Sequence, residues 1–200
     1  MIKSISVFCG SSIGKNPAYK QAAVELGYLL AKNNITMVYG GGNIGMMGAI
    51  ADAVLENKGK VIGVIPTSLL EKELAHPGVS EMHQVDNLMQ RKTKMIELSD
   101  AFIALPGGFG TLDEFFEIAT LLQLGYLKIP TALLNVNGYF DELVAMMNKG
   151  VKEQFIKPVH RENILVSDKV PEMLDQLNTF IPTDNDPKWI DNLKQENRYL

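Results

Sequence analysis

Cysteine occurs once in the 200 residues, as Cys9. A single thiol excludes any intramolecular disulfide and any zinc site built on cysteine. No run approaches the roughly 18 apolar residues that a membrane-spanning helix requires. The basic side is not in surplus: 19 Lys and Arg stand against 23 Asp and Glu, a net charge of −4. A dedicated nucleic-acid binder carries a basic excess on one face, so that class is disfavoured. The three histidines, His76, His83 and His160, show no metal-ligand spacing. Gly-Lys-[Ser/Thr] is missing from the glycine-rich segments, which excludes a Walker A loop. Ser11 has no nucleophile elbow around it, which argues against covalent serine catalysis. Met1–Ile5 lacks the charged n-region and long apolar h-region of a signal peptide, so the expected setting is reducing and cytoplasmic. Cys9 follows an apolar run and reads as a buried, inert thiol.

What is present is an ordinary globular composition, 46% hydrophobic and 21% charged. That suffices for one core without covalent staples. Residues 1–182 read as a single domain. Residues 183–200 read as a tail, in which Trp189, Ile190 and Leu193 suggest a short helix. The ten methionines read as core filler.

Short apolar runs recur at Ile5–Phe8, Ile35–Tyr39, Val61–Ile65, Ala101–Leu105, Thr131–Leu134 and Ile164–Val166. Most are continuous rather than alternating, the pattern of strands covered on both faces of a parallel sheet. Helical spacing fills the gaps: Tyr19, Ala22, Ala23, Leu26, Leu29 and Leu30 form one stripe. Further helices are expected at about 44–57, 86–99, 111–124, 138–149 and 168–180. Residues 66–85 are the longest connection without a clear element. Strand and helix in alternation imply an α/β fold, a Rossmann-like, doubly wound parallel sheet flanked by helices.

Three glycine-rich segments fall at expected strand ends: Cys9-Gly10-Ser11-Ser12, Gly40 to Gly48, and Pro106-Gly107-Gly108-Phe109-Gly110-Thr111. Ligands bind at that edge of an open parallel sheet. Glycine lets backbone N–H groups approach an anion, and a following helix start adds unpaired donors. Each turn taken alone is equally explained by the geometry of a tight connection. Gly40–Gly45 contains Gly-x-Gly-x-x-Gly, but no carboxylate stands near Lys60-Val61-Ile62, where a dinucleotide site needs one. A dinucleotide dehydrogenase is therefore disfavoured.

Two helical wheels point to reactive side chains. After Gly110, the residues Leu112, Phe115, Ile118, Ala119, Leu121 and Leu122 form an apolar arc with Glu114 inside it. A carboxylate on a core-facing stripe is costly unless paired or used. The competing reading, an acid that favours the helix dipole, suits Asp113 better. Glu117 lies at the edge of the arc, either as a second acid or as a boundary residue. In the helix near 86–99, Arg91 and Lys92 both fall inside the arc of Leu88, Met89, Met95, Ile96 and Leu98. Snorkelling explains one such cation more easily than two. Arg91 suits a bidentate grip on phosphate or carboxylate, and Lys92 acts as a point charge.

Pro106-Gly107-Gly108-Phe109-Gly110-Thr111-Leu112-Asp113-Glu114 matches the Pro-Gly-Gly-x-Gly-Thr-x-x-Glu signature of the Lonely Guy family. Met89-Gln90-Arg91-Lys92 resembles that family's Arg-Lys pair, and Gly40–Gly48 resembles its Gly-Gly-Gly-x-x-Gly-x-Met-Gly turn. The order and spacing agree over about residues 1–180. The resemblance implies a cytokinin riboside 5′-monophosphate phosphoribohydrolase, often mislabelled lysine decarboxylase-like. Such an enzyme hydrolyses the N-glycosidic bond to free base and ribose 5-phosphate, with AMP as a second substrate. It also implies no metal or organic cofactor, and a homodimer with the active site near the interface. Neither nucleic acid nor membrane is an expected partner.

On this reading Glu114 and Arg91 are the catalytic pair. Lys92, Gly107, Gly108, Gly110, Thr111, Gly10, Ser11, Gly41, Gly42, Gly45, Met89 and Glu117 contribute to substrate or phosphate binding. The alternative is a non-catalytic nucleotide or molybdenum-cofactor carrier on the same fold. It would use the glycine turns and Arg91 equally well, but gains little from a buried Glu114.

Overall fold

Strands covered on both faces are largely apolar along their length, and the β-branched runs meet that demand. The computed structural model describes residues 2–70, 75–181 and 183. The strands are β1 (Ser4–Phe8), β2 (Thr36–Tyr39), β3 (Val61–Pro66), β4 (Glu81–Val85), β5 (Ala101–Ala104), β6 (Thr131–Leu134) and β7 (Ile164–Ser167). Among the described residues they form one sheet in the order β4-β3-β2-β1-β5-β6-β7, with every pairing parallel.

The helices are α1 (Pro17–Lys32), α2 (Gly45–Glu56), α3 (Leu88–Glu97), α4 (Phe109–Gln123), α5 (Asp141–Lys152), α6 (Pro158–Glu162) and α7 (Val170–Thr179). Side chains alternate across the sheet. Ile5, Val7, Met37 and Ile103 pack with α1, α2 and α7 on one face. Phe8, Val38, Phe102 and Leu133 pack with α3, α4 and α5 on the other. This period of two, with apolar groups on both sides, produces the continuous runs seen in the sequence.

The chain winds outward from β1 to β4, returns to place β5 against the other side of β1, and continues to β7. The winding therefore reverses between β1 and β5. On the α3 side, Ser99 Oγ donates to Ser6 Oγ at 2.9 Å, and Ser6 Oγ to the Met95 carbonyl at 3.4 Å. These bonds satisfy Ser6, a polar residue of β1 with no exposed surface.

Three features depart from the sequence expectation. The connection 66–85 contains the edge strand β4, whose Glu-Met-His-Gln-Val is half polar because its burial is only partial. α6, of five residues, is too short for helical spacing to register. The helix expected from 138 begins at Asp141, because Asn137 and Gly138 take positive φ of 53° and 69° and break it. The helix suggested by Trp189, Ile190 and Leu193 lies outside the described residues.

Phe102 has no exposed surface and stacks on Phe8 with ring centroids 5.9 Å apart. Phe102→Ala should cost about 3–5 kcal/mol in urea denaturation, with native secondary structure retained. A loss below about 1 kcal/mol would show that the two rings do not anchor this layer.

Candidate active site

Open parallel sheets bind ligands beyond the strand ends where winding reverses, here between β1 and β5. The turns that follow β1, β2 and β5 interlock at that point. Gly10 N–H donates to the Pro106 carbonyl at 3.2 Å, and the Gly10 carbonyl accepts from Met46 N–H at 3.0 Å. One residue thus ties the turn after β5 to the start of α2. Gly45 has φ +63° and lies against the Ser11–Ser12 backbone, where any side chain would collide.

α4 begins at Phe109, so Gly110 and Thr111 belong to its first turn. Gly108 is its N-cap and has no side chain to satisfy the end. The N–H groups of Phe109, Gly110 and Thr111 precede the first intrahelical bond, which Leu112 makes to Gly108 at 3.2 Å. A Cβ added to Gly107 would strike Thr111 and Gly10, whereas Gly108 and Gly110 face open space. Internal packing therefore explains the first glycine and leaves the other two available for a ligand's approach. A cleft of about 290 Å³ opens beside them, lined in part by Gly10, Ser11, Gly107, Gly108 and Tyr139. A larger groove of about 790 Å³ runs along the outside of α1; its mostly apolar lining includes none of the three turns' glycines.

α3 is started by reciprocal caps. Asn87 Oδ1 accepts from Gln90 N–H at 3.0 Å, and Gln90 Oε1 accepts from Asp86 N–H at 3.0 Å. That start turns Arg91 inward, leaving it 7% exposed. Its Nη2 donates to the Gly40 carbonyl at 3.0 Å. A side chain at position 40 would occupy the guanidinium's place, so Gly40 serves this contact. Arg91 and half-buried Glu114 converge electrostatically on Cys9 at the end of β1. Burial raises the Cys9 thiol far above its ordinary range, Glu114 raises it further, and Arg91 opposes both. Cys9 therefore stays a neutral thiol and is no nucleophile. Tyr39 is raised likewise, by burial first and by Cys9 and Asp52 next.

Lys92, read from the sequence as a point charge for an anion, is engaged by α4. Its ammonium pairs with Asp113 at 3.0 Å and with Glu117. Burial alone would lower its pKa, but hydrogen bonds and charge from Glu117 and Asp113 outweigh that and raise it. The pair joins α3 to α4 and so fixes Arg91 relative to Glu114. Gly41 and Gly42 are buried against the segment after β3. The Gly41 carbonyl accepts from His76 N–H at 2.9 Å, and Gly42 forms a bridge with Ala75. Met89 is 77% exposed on the outer side of α3. Gly10, Ser11, Gly107 and Gly108 thus meet at the cleft, while Gly41, Gly42, Gly45, Arg91, Lys92, Gly110, Thr111, Glu114 and Glu117 do not line it.

His76 Nε2 bonds Asp52 at 3.0 Å, and its Nδ1 accepts from Gly78 N–H at 3.1 Å. Its role is to seat a loop. No group of three or more potential metal ligands gathers among the described residues. No described helix is long and apolar enough to cross a membrane. The sequence reading missed Tyr19 and Tyr139 in the cleft lining. The only available signal was Asn137-Gly138 just beyond β6, a turn at the same rim as the glycine segments.

A family model described as "Possible lysine decarboxylase" matches residues 47–177. The cytokinin riboside 5′-monophosphate phosphoribohydrolase LOG1 of Arabidopsis thaliana is 47% identical over 90% of this chain and 84% of that protein. The probable phosphoribohydrolase LOGL9 of Oryza sativa is 45% identical over 90% of this chain and 79% of its own length. Among solved structures, a molybdenum cofactor binding protein from Rippkaea orientalis is similar with TM-score 0.66 and 21% identity, covering 90% of this chain and 97% of that one. The molybdenum cofactor carrier protein of Chlamydomonas reinhardtii is similar with TM-score 0.65 and 19% identity, covering 90% of this chain and all (100%) of its own. The structural likenesses establish a shared fold, and the sequence relatives go further: this chain belongs to the family of the cytokinin riboside 5′-monophosphate phosphoribohydrolases.

Proposed function

We propose that this protein hydrolyses the N-glycosidic bond of cytokinin riboside 5′-monophosphates, and of AMP, releasing the free base and ribose 5-phosphate. The observation that carries the reading is buried Arg91, bonded to the Gly40 carbonyl at the end of β2, together with half-buried Glu114 on the helix that starts from the glycine-rich turn after β5. Breaking the bond between C1′ and the base nitrogen sends the electron pair to the base and leaves positive charge on the ribose ring. A fixed carboxylate stabilises that charge and activates the water whose oxygen becomes the new C1′ hydroxyl. Glu114 has this role. Arg91 holds the nucleotide, by phosphate contact or by assisting the departing base.

The phosphate is bound by Gly107, Gly108, Gly110 and Thr111 at the start of α4, with Ser11 opposite; Gly10, its N–H and carbonyl both committed, holds the turn that carries Ser11. Lys92 and Glu117 keep α3 on α4 and so hold the site's charge pattern. Gly41, Gly42 and Gly45 support the rim from the β2 side. The chemistry uses no metal or organic cofactor. A carrier role is the weaker reading, because an anion carrier gains nothing from Glu114 beside its ligand. The single buried thiol suits a reducing, cytoplasmic setting.

The active form is a homodimer, with the site near the interface. Phe109 is 92% exposed, Met89 77% and Leu88 56%, on two helices tied together by Lys92. Exposed apolar side chains on two linked helices suit a second copy of the chain.

Incubation with AMP and with isopentenyladenosine monophosphate, followed by chromatography, should reveal free base. Glu114→Gln should reduce turnover by about 10²-fold or more while melting as the parent does. Near-normal turnover would remove Glu114 from the mechanism. Arg91→Ala should lower kcat/KM by about 10²-fold; unchanged kinetics would leave Arg91 with only its structural bond to the Gly40 carbonyl. Phe109→Glu should shift the protein to monomer in light scattering, and an undisturbed dimer would move the interface elsewhere.

A further inference from the structure

The turn after β6 reaches the same cleft as the glycine segments. Tyr139 Oη donates to the Gly107 carbonyl at 2.5 Å, a short hydrogen bond. Its ring packs edge-on against Tyr19 of α1, with centroids 5.6 Å apart, and against Phe140 at 5.0 Å. The turn itself is rigidly built. Asn135 Oδ1 accepts from Phe140 N–H at 2.6 Å, and Asn135 Nδ2 donates to Asp141 at 2.7 Å. Tyr139 is thus held by its neighbours, and its hydroxyl has a fixed address.

That address matters because of what shares the peptide plane. The Gly107 carbonyl and the Gly108 N–H belong to one planar trans unit and point in opposite directions. This unit is flanked by glycine on both sides, so little steric resistance opposes its rotation. At Gly108 a side chain would meet open space, so packing does not hold the plane there either. Rotated, the unit would turn a carbonyl oxygen toward the place where an anion must sit. The hydroxyl also occupies a carbonyl lone pair whose partial charge would repel an anion in the same cleft.

We propose that Tyr139 is a positioning residue of the phosphate cradle, its hydroxyl locking the Gly107–Gly108 peptide so that Gly108 N–H donates to the substrate phosphate. The proposal rests on the nucleotide-hydrolase reading for the identity of the anion. It adds a residue outside the glycine signature and assigns it to binding rather than to bond cleavage.

Tyr139→Phe removes the hydroxyl and keeps the ring against Tyr19 and Phe140. The expected result is a rise of about tenfold in KM for AMP and in the calorimetric Kd for ribose 5-phosphate. kcat for AMP should stay within about twofold, and kcat/KM for adenosine, which has no phosphate, should not change. A melting temperature close to the parent's confirms that the ring still packs. In the ligand-free protein the Gly108 amide resonance should broaden in Tyr139→Phe, through exchange between two peptide orientations.

Unchanged ribose 5-phosphate binding would overturn the proposal, as would an equal loss on AMP and adenosine. An equally sharp Gly108 amide in both proteins would make the hydroxyl a direct ligand contact and also overturn the positioning role. Calorimetry needs no turnover, so the two readings fail separately. A parent protein that binds ribose 5-phosphate but releases no base sinks the hydrolase reading alone. Base release with wild-type-like binding by Tyr139→Phe sinks the Tyr139 proposal alone. A parent that binds neither AMP nor ribose 5-phosphate sinks both.

Discussion

The rim of the sheet depends on the backbone of Gly10. Its N–H is committed to the turn after β5 and its carbonyl to the start of α2. Two turns far apart in sequence are thereby fixed to one point at the end of β1. Every polar group assigned to phosphate lies on that turn, beside it or at the helix start that follows β5. Buried backbone groups that lose their partners are expensive to leave unsatisfied, so the arrangement resists loosening one turn at a time.

Two adjacent cations on α3 divide the work of holding this region. Arg91 turns inward against the Gly40 carbonyl, while Lys92 turns toward the acids of α4. One step along a helix rotates a side chain by about 100°, so neighbours serve different surfaces. The result brings α3 and α4, which lie on the same face of the sheet, into a fixed relation. Arg91 and Glu114 then bear on the same buried thiol from two helices.

The order of most helices and strands, the covering of the inner strands on both faces and the inward turn of Arg91 are legible in the sequence, because burial on both sides writes itself as apolarity. β4 was not: an edge strand with Glu81, His83 and Gln84 has no such constraint. The glycine turns could be placed at one rim, but not sorted. Only coordinates reveal that Gly40 makes room for Arg91 whereas Gly108 and Gly110 face open space. Lys92 looked inward on a helical wheel because its stem is partly covered, while its head meets acids from a helix the wheel does not include. Tyr139 was hidden inside an apparent helix start, since two successive positive-φ residues leave only Asn-Gly as their trace.

β4, one of the two edge strands of the sheet, carries a consequence for how molecules of this protein can meet. Among the described residues β4 pairs with a strand on one side only, and its Glu81 carboxylate lies 2.9 Å from His83 Nε2 and 3.8 Å from the Lys60 ammonium. A strand from another molecule adding there would strip water from these ionic groups, a cost that blunts edge-to-edge growth. Growth of the sheet by a further strand at this edge is therefore disfavoured.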